Sequence, residues 1–213
     1  MSVLWIIKIV SISCLYLFVF MYSFFIRNRE KYAKYLENFS LNLLLVIGYN
    51  ILCYIPVILP SDPYIILKPS IFDDIFVLLW NIFLGFGILI FAISFWIPTL
   101  KMRKVLGAQD TEGKLLTNGI YSFCRHPIYL GISLIILGIA LILNNFDGLI
   151  LYPLLLLVNL FTGKIEEIYD IGPRFKDEYP QYKGHTRMFG PIWFWTILVG
   201  LICFPFIIAS FFL

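Results

Sequence analysis

Charge is scarce in this 213-residue chain: 14% of it is Asp, Glu, Lys or Arg and 61% is hydrophobic. A soluble domain carries roughly 25% charged residues, so a water-facing surface could not be covered. Histidine is scarcer still, at two residues, which excludes a metal site built on several imidazoles. Of the four cysteines, Cys14, Cys53 and Cys203 sit inside apolar runs as small hydrophobes. Cys124 stands outside them but has no C-x-x-C partner, so no redox or metal pair is indicated. G-x-S-x-G, H-E-x-x-H, Walker and G-x-G-x-x-G signatures are missing. A basic, aromatic-interleaved surface for nucleic acid is missing too. Without an internal repeat, a low-complexity tract or a polar segment long enough to bury its own core, the chain reads as one membrane domain, 1–213.

What is present is length without charge. Six charge-free runs occupy Ile9–Ile26, Leu41–Pro60, Ile75–Leu100, His126–Phe146, Gly148–Gly163 and Met188–Leu213. A spanning helix needs about 20 mostly apolar residues, and four of the runs supply them. The fourth and fifth are shorter once His126, Pro127 and the Asn pair are set aside, and predict a tight helical hairpin. The expected fold is therefore all-α, a polytopic membrane protein of about six transmembrane helices. The first run is too long for a signal-peptide core and has no small-x-small cleavage site, so it reads as a retained span. Lys and Arg counted after each span run 4, 1, 5, 0, 5, 0. That alternation follows the positive-inside rule with both termini outside, against which Lys8 argues weakly. The charged loops 101–125 and 164–187 then share the cytoplasmic face.

Segment 99–120 has scattered charge and turn sequences, "TEG" and "TNG", and predicts a loop with short structured pieces, long enough to fold over a ligand. Pro127 is welcome in the first turn of a helix and disfavours helix at the residue before it, so the fourth span is expected to start there with His126 just outside. Helix N-termini present free N–H groups suited to a carboxylate. Segment 164–183, "KIEEIYDIGPRFKDEYPQYK", spaces its apolar and aromatic residues by threes and fours, and predicts an interfacial amphipathic helix broken at Gly172–Pro173.

His126 can serve as general base, as ligand contact or simply as an interfacial residue, the last being the commonest fate of a lone histidine there. Tyr129 shares its face if the helix extends back, though aromatic belts alone explain many such tyrosines. Glu166 and Glu167 follow an apolar span closely. Adjacent acids there are often a solvated helix start paired with Lys164 or Arg174, but an acid near hydrocarbon is by default a functional-site candidate with a cationic partner.

"GKLLTNGIYSFCRHPIYLG" followed about 35 residues later by "EEIYDIGPRFKDEYPQYK" resembles the isoprenylcysteine carboxyl methyltransferases and their phospholipid-methyltransferase relatives. The pattern is G-x-Y, R-H-P-x-Y-x-G, a helical hairpin, E-E, then F-x-x-x-Y-x-x-Y. It covers roughly residues 100–191; the first three spans are similar in hydropathy only. The resemblance implies S-adenosyl-L-methionine as cofactor, bound on the cytoplasmic side by residues 99–191, between a three-helix part at 1–98 and a last helix at 192–213. Carried over by position, the cofactor contacts fall on Gly113, Lys114, Leu115, Leu116, Tyr121, His126, Pro127, Ile128, Tyr129 and Glu166. A carboxylate suits the cofactor's amine or ribose, and tyrosine faces attract its sulfonium, at about 0.5–2 kcal/mol.

The implied activity is methyl transfer to a membrane-embedded lipidic acceptor, a prenylcysteine carboxylate or a phospholipid amine. Positioning alone serves an anionic acceptor. An amine must first lose a proton, for which His126 and Glu167 are the nearest candidates. The family's substrate-orienting Arg corresponds to Thr162, leaving Lys164, with Arg187, as the basic residues for substrate; lysine lacks arginine's bidentate fork. Lys176 also stands where the family has Gly. Two other functions fit parts of the pattern: a sterol-reductase-like NADPH enzyme, usually with more spans, and a non-catalytic protein of the same fold.

Overall fold

A computed structural model describes residues 2–28, 31–32, 39–61, 74–105 and 115–211, with the backbone alone at 39–43 and 100–105. Every regular element in it is helical: α1 Val3–Arg27, α2 Phe39–Ile58, α3 Ile75–Val105, α4 Ile120–Phe123, α5 Pro127–Ile142, α6 Phe146–Glu166, a π-helical turn Glu167–Ile171, α7 Gly172–Arg174, α8 Tyr179–His185 and α9 Ile192–Ser210. Among the described residues, four helical stretches are long and apolar enough to cross a bilayer: α1, Ile75–Thr99 within α3, Phe146–Arg174, and α9. Leu44–Ile58, the part of α2 whose side chains are described, and α5 are shorter apolar helices. At 1.5 Å per residue the 16 residues of α5 rise about 24 Å, short of a hydrocarbon core of roughly 30 Å. The expected short helix is thus the fourth, while the fifth, α6, continues past the end of its apolar run.

α5 is central, with 11 of its 16 residues buried, but the four long helices bury little of themselves, and large hydrophobics such as Phe20, Phe83, Ile90 and Trp193 remain 60–77% exposed. In water that surface would aggregate; in lipid it is the correct exterior. Helix contacts therefore depend on close approach rather than on the hydrophobic effect. The α3–α5 crossing shows how. A Cβ added at Gly85 would stand 2.7 Å from the Gly138 carbonyl oxygen, and one at Gly138 would stand 2.9 Å from Leu89 and 3.0 Å from the Gly85 carbonyl. The paired glycines let the two backbones touch. Gly138→Val is expected to cost about 1–3 kcal/mol by overpacking, read as a lower thermal midpoint in detergent; an unchanged midpoint would mean the crossing adapts.

The two ends of the bundle differ. At one end Lys8, at 0% exposure, donates to Asp147 Oδ2 at 2.9 Å and to the Pro60 carbonyl at 3.1 Å. Asn145 there donates to the Val57 and Leu59 carbonyls at 2.7 and 2.6 Å, and Asn81 to Asn144 at 3.0 Å. The opposite end gathers the C-terminal ends of α1 and α6 and the start of α5, described below. The chain thus runs down α1, up α2, down α3, up α5, down α6 and up α9, the alternation read from the basic residues.

Two local expectations change. Segment 99–105 continues α3 as helix, because Lys101, Met102, Arg103 and Lys104 are good helix formers. Residues 106–114, the rest of the expected covering loop, lie outside those described. The break in segment 164–183 falls at 175–178, after α7, and not at Gly172–Pro173. Pro173 sits in the first turn of α7, where a missing N–H costs nothing, and the preceding π turn absorbs the mismatch.

Candidate functional site

His126 caps α5 and Pro127 is its first residue, as the proline rule predicts. The approach to this start is held by two backbone hydrogen bonds: Arg125 N–H donates to the Arg187 carbonyl at 3.0 Å and His126 N–H to the Met188 carbonyl at 3.2 Å. The two motifs, remote in sequence, are thereby clamped together just before α9. From α6, the last residue Glu166 and the first residue of the π turn, Glu167, project toward the same place.

The two acids divide the site between them. Glu167 is 3% exposed. Its Oε1 accepts from Arg125 Nε at 2.8 Å and lies 3.3 Å from His126 Nε2. Its Oε2 is buried without a hydrogen-bond partner, with Lys164 Nζ at 3.9 Å and Lys183 Nζ at 3.8 Å. Arg125 also donates to the carbonyls of Thr186 and Lys183. Glu166 has different company. Its Oε1 accepts from the phenols of Tyr129 at 2.5 Å and Tyr22 at 3.1 Å, and its Oε2 stands 3.8 Å from His126 Nδ1. With a side chain 20% exposed, Glu166 keeps an accessible negative charge, whereas the charge of Glu167 is surrounded by cations.

The imidazole is held on several sides. It lies over Gly163, where a Cβ would come 3.1 Å from its Cγ, and tilts against the Tyr129 ring at 5.9 Å between centroids. Only a glycine on α6 admits the ring so close to the helix.

Below this cluster Tyr121, Tyr179 and Tyr182 form a buried knot, with Leu115 and Leu116 packed against it. The Tyr182 hydroxyl donates to the Tyr121 carbonyl at 2.7 Å. Tyr179 adjoins Glu167, and burial followed by that negative charge pushes its phenol well up, so it stays a neutral hydroxyl. Burial also pushes the Cys124 thiol up to about 12, which leaves it a small hydrophobe.

Of the residues singled out from sequence, His126, Tyr129, Glu166 and Glu167 meet directly. Pro127 and Ile128 form the helix start beside them. Leu115, Leu116 and Tyr121 join through the tyrosine knot, and Lys164 approaches Glu167. Arg187 is exposed, and its carbonyl takes part in the backbone pairing. Gly113 and Lys114 lie outside the described residues. Arg174 pairs with Asp170 and not with either glutamate. Sequence reasoning missed Tyr22, Arg125, Lys183 and Tyr179. Arg125 adjoins the histidine and offered a signal; Tyr22, one of 13 tyrosines, offered none.

On the other side of α5 an apolar groove of about 730 Å³ runs between α3 and α9, lined by residues that include Gly87, Phe91, Phe95, Phe123, Trp193 and Phe194. Phe123 belongs to α4, the same helical turn that carries Tyr121 into the knot.

Residues 80–169, from α3 through the acid pair, match the family described as Phospholipid methyltransferase. The chain is similar to the Protein-S-isoprenylcysteine O-methyltransferase of Schizosaccharomyces pombe, with 36% identity over 81 residues, 37% of this chain and 34% of that protein. It is also similar to Methanethiol S-methyltransferase 1 of Bradyrhizobium diazoefficiens, with 32% identity over 89 residues, 42% of this chain and 30% of that one. The chain thus spans about a third of the length of these curated relatives. No solved structure matches it. The matched region holds both arms of the acid–imidazole cluster and agrees with the resemblance read from the motifs.

Proposed function

We propose that this integral membrane protein transfers a methyl group from S-adenosyl-L-methionine to a lipidic acceptor, at a site on the cytoplasmic face. The observation that carries the reading is Glu166: a partly accessible carboxylate at the end of a spanning helix, backed by two phenols and facing an imidazole, within a region that matches the methyltransferase family. The residues fit a cofactor that carries an ammonium, a sulfonium and a carboxylate. Glu166 takes the cationic part, the Tyr129 ring offers a π face to positive sulfur, and the first turn of α5, where Pro127 has no N–H and that of His126 is donated to the Met188 carbonyl, offers the Ile128 N–H to the carboxylate. When bound, the cofactor supplies an electrophilic methyl group on positively charged sulfur. The protein's own work is to hold both partners in line and to exclude water, which can supply up to roughly 7–11 kcal/mol.

Charge placement favours a phospholipid amine over a prenylcysteine carboxylate as acceptor. Arg125, Lys164 and Lys183 all turn toward Glu167, and the Thr162 hydroxyl is turned back to the Val158 carbonyl at 2.9 Å. No bidentate cation therefore awaits a carboxylate beside Glu166 among the described residues. A headgroup phosphate instead meets the outer parts of Lys164, whose side chain is 48% exposed, and of Arg187, while the amine lies toward Glu166 and His126. The hydrocarbon part of the acceptor occupies the α3–α9 groove, which shares α4 with the tyrosine knot. Gly87 lines that groove with open space beyond it. Gly87→Phe is expected to raise KM for the lipid about 10-fold, from the lost burial of one to two methylene groups, without altering affinity for S-adenosylhomocysteine. An unchanged KM would place the chain elsewhere.

The deciding experiment is calorimetric titration of detergent-purified protein with S-adenosylhomocysteine and, separately, with NADPH. Binding of the first alone supports the methyltransferase reading. Binding of NADPH alone supports the reductase, and binding of neither supports a non-catalytic protein.

A further inference from the structure

We infer that Arg125 and Glu167 are positioning residues that hold the His126 imidazole with its proton on Nε2, so that the Nδ1 lone pair faces Glu166 and receives the proton an amine acceptor must lose. The inference rests on the methyl-transfer reading above and assigns roles within that site.

The argument runs from donor and acceptor chemistry. An ionised carboxylate oxygen only accepts hydrogen bonds. Glu167 Oε1 already accepts from Arg125 Nε at 2.8 Å, and the ring nitrogen 3.3 Å away must be the N–H tautomer to approach it favourably. Arg125 cannot swing aside, because its guanidinium also serves the Thr186 and Lys183 carbonyls and its backbone is paired with Arg187. Gly163 beneath the ring and Tyr129 beside it fix the plane. Glu167 is thus committed at Oε1 and is 3% exposed, which suits it to orient a base and not to act as one.

On the opposite edge of the ring, Nδ1 and Glu166 Oε2 are 3.8 Å apart, beyond hydrogen-bond length. Two acceptors facing across such a gap await a donor. An ammonium N–H directed between them breaks its N–H bond, the electron pair stays on the amine nitrogen as the nucleophilic lone pair, and the proton goes to Nδ1, giving imidazolium. Glu166 stabilises that charge across the gap, as the orienting carboxylate of other base–acid pairs does. A carboxylate acceptor needs no such proton transfer.

The chain has two histidines, so the tautomer can be read directly. In protein labelled with ¹⁵N-histidine and carrying His185→Gln to remove the exposed second ring, the His126 nitrogens are expected to show a protonated Nε2 and an unprotonated Nδ1. Glu167→Gln is expected to mix the two tautomers and to lower kcat with a phosphatidylethanolamine acceptor about 100-fold, with S-adenosylhomocysteine affinity held within threefold. Glu167→Asp is expected to restore the single tautomer in part. An Nδ1–H tautomer in the parent protein, or an unmoved tautomer in folded Glu167→Gln, would overturn the inference. The ring measurement needs no ligand, so failure to bind S-adenosylhomocysteine would defeat the functional reading separately.

Discussion

Glu166→Gln is expected to weaken S-adenosylhomocysteine binding by roughly 10- to 100-fold while leaving the protein folded, since a hydrogen bond to a charged group contributes about 1.5–3 kcal/mol. The fold survives because the phenols of Tyr129 and Tyr22, at 2.5 and 3.1 Å, both donate to Oε1, and an amide oxygen accepts them as well. What changes is the other end. The carboxylate Oε2, 3.8 Å from His126 Nδ1, becomes an NH2 donor, and the site loses both its accessible negative charge and the acceptor facing the ring. Glu167→Gln acts differently, since that charge is matched by Arg125, Lys164 and Lys183 and its loss disturbs orientation more than ligand attraction. Calorimetry on the two variants side by side separates these roles. An affinity within threefold of the parent for Glu166→Gln would move cation recognition off that residue.

The contrast between two adjacent glutamates also marks where sequence reading stops. The spans were legible because apolar length and terminal punctuation are local: Pro127 sets the start of α5, and charge-free runs announce helices that need no partner to be recognised. The meeting of the two motifs was legible through the matching pattern of residues. Their division of labour was not. Which of Glu166 and Glu167 faces Arg125 depends on how α6 is turned against α5: both acids keep helical dihedrals, so their side chains diverge by about 100°, and hydropathy does not say which of the two turns inward. Tyr22 reaches Glu166 across 144 residues of chain, a pairing that hydropathy cannot specify. Lys8, taken in the sequence as a weak objection to the topology, is in the fold a buried partner of Asp147. A lone charge in an apolar run shows that it needs a counter-ion without showing which one.

That pair supports the second large effect. Lys8→Met is expected to destabilise the protein by about 3–5 kcal/mol, because removing one member of a buried ion pair takes the lysine counter-ion from the charge of the other. Asp147 Oδ2 loses a cation at 2.9 Å and the Pro60 carbonyl loses its donor at 3.1 Å, with Lys8 and Asp147 both at 0% side-chain exposure. The pair joins α1 to the start of α6 and to the chain leaving α2, so its rupture loosens the end of the bundle opposite the acid–imidazole cluster. Lys8→Met combined with Asp147→Leu is expected to recover most of the loss, since an apolar pair of similar volume avoids desolvating two charges. What it does not recover is the Pro60 carbonyl, about 1 kcal/mol for one hydrogen bond. Denaturant titration in mixed micelles measures all three proteins, and a double variant no more stable than Lys8→Met would show that Asp147 is satisfied without Lys8. Because the pair lies at the far end of the helices from Glu166, the double variant is also expected to bind S-adenosylhomocysteine with parental affinity, which separates what holds this bundle together from what it recognises.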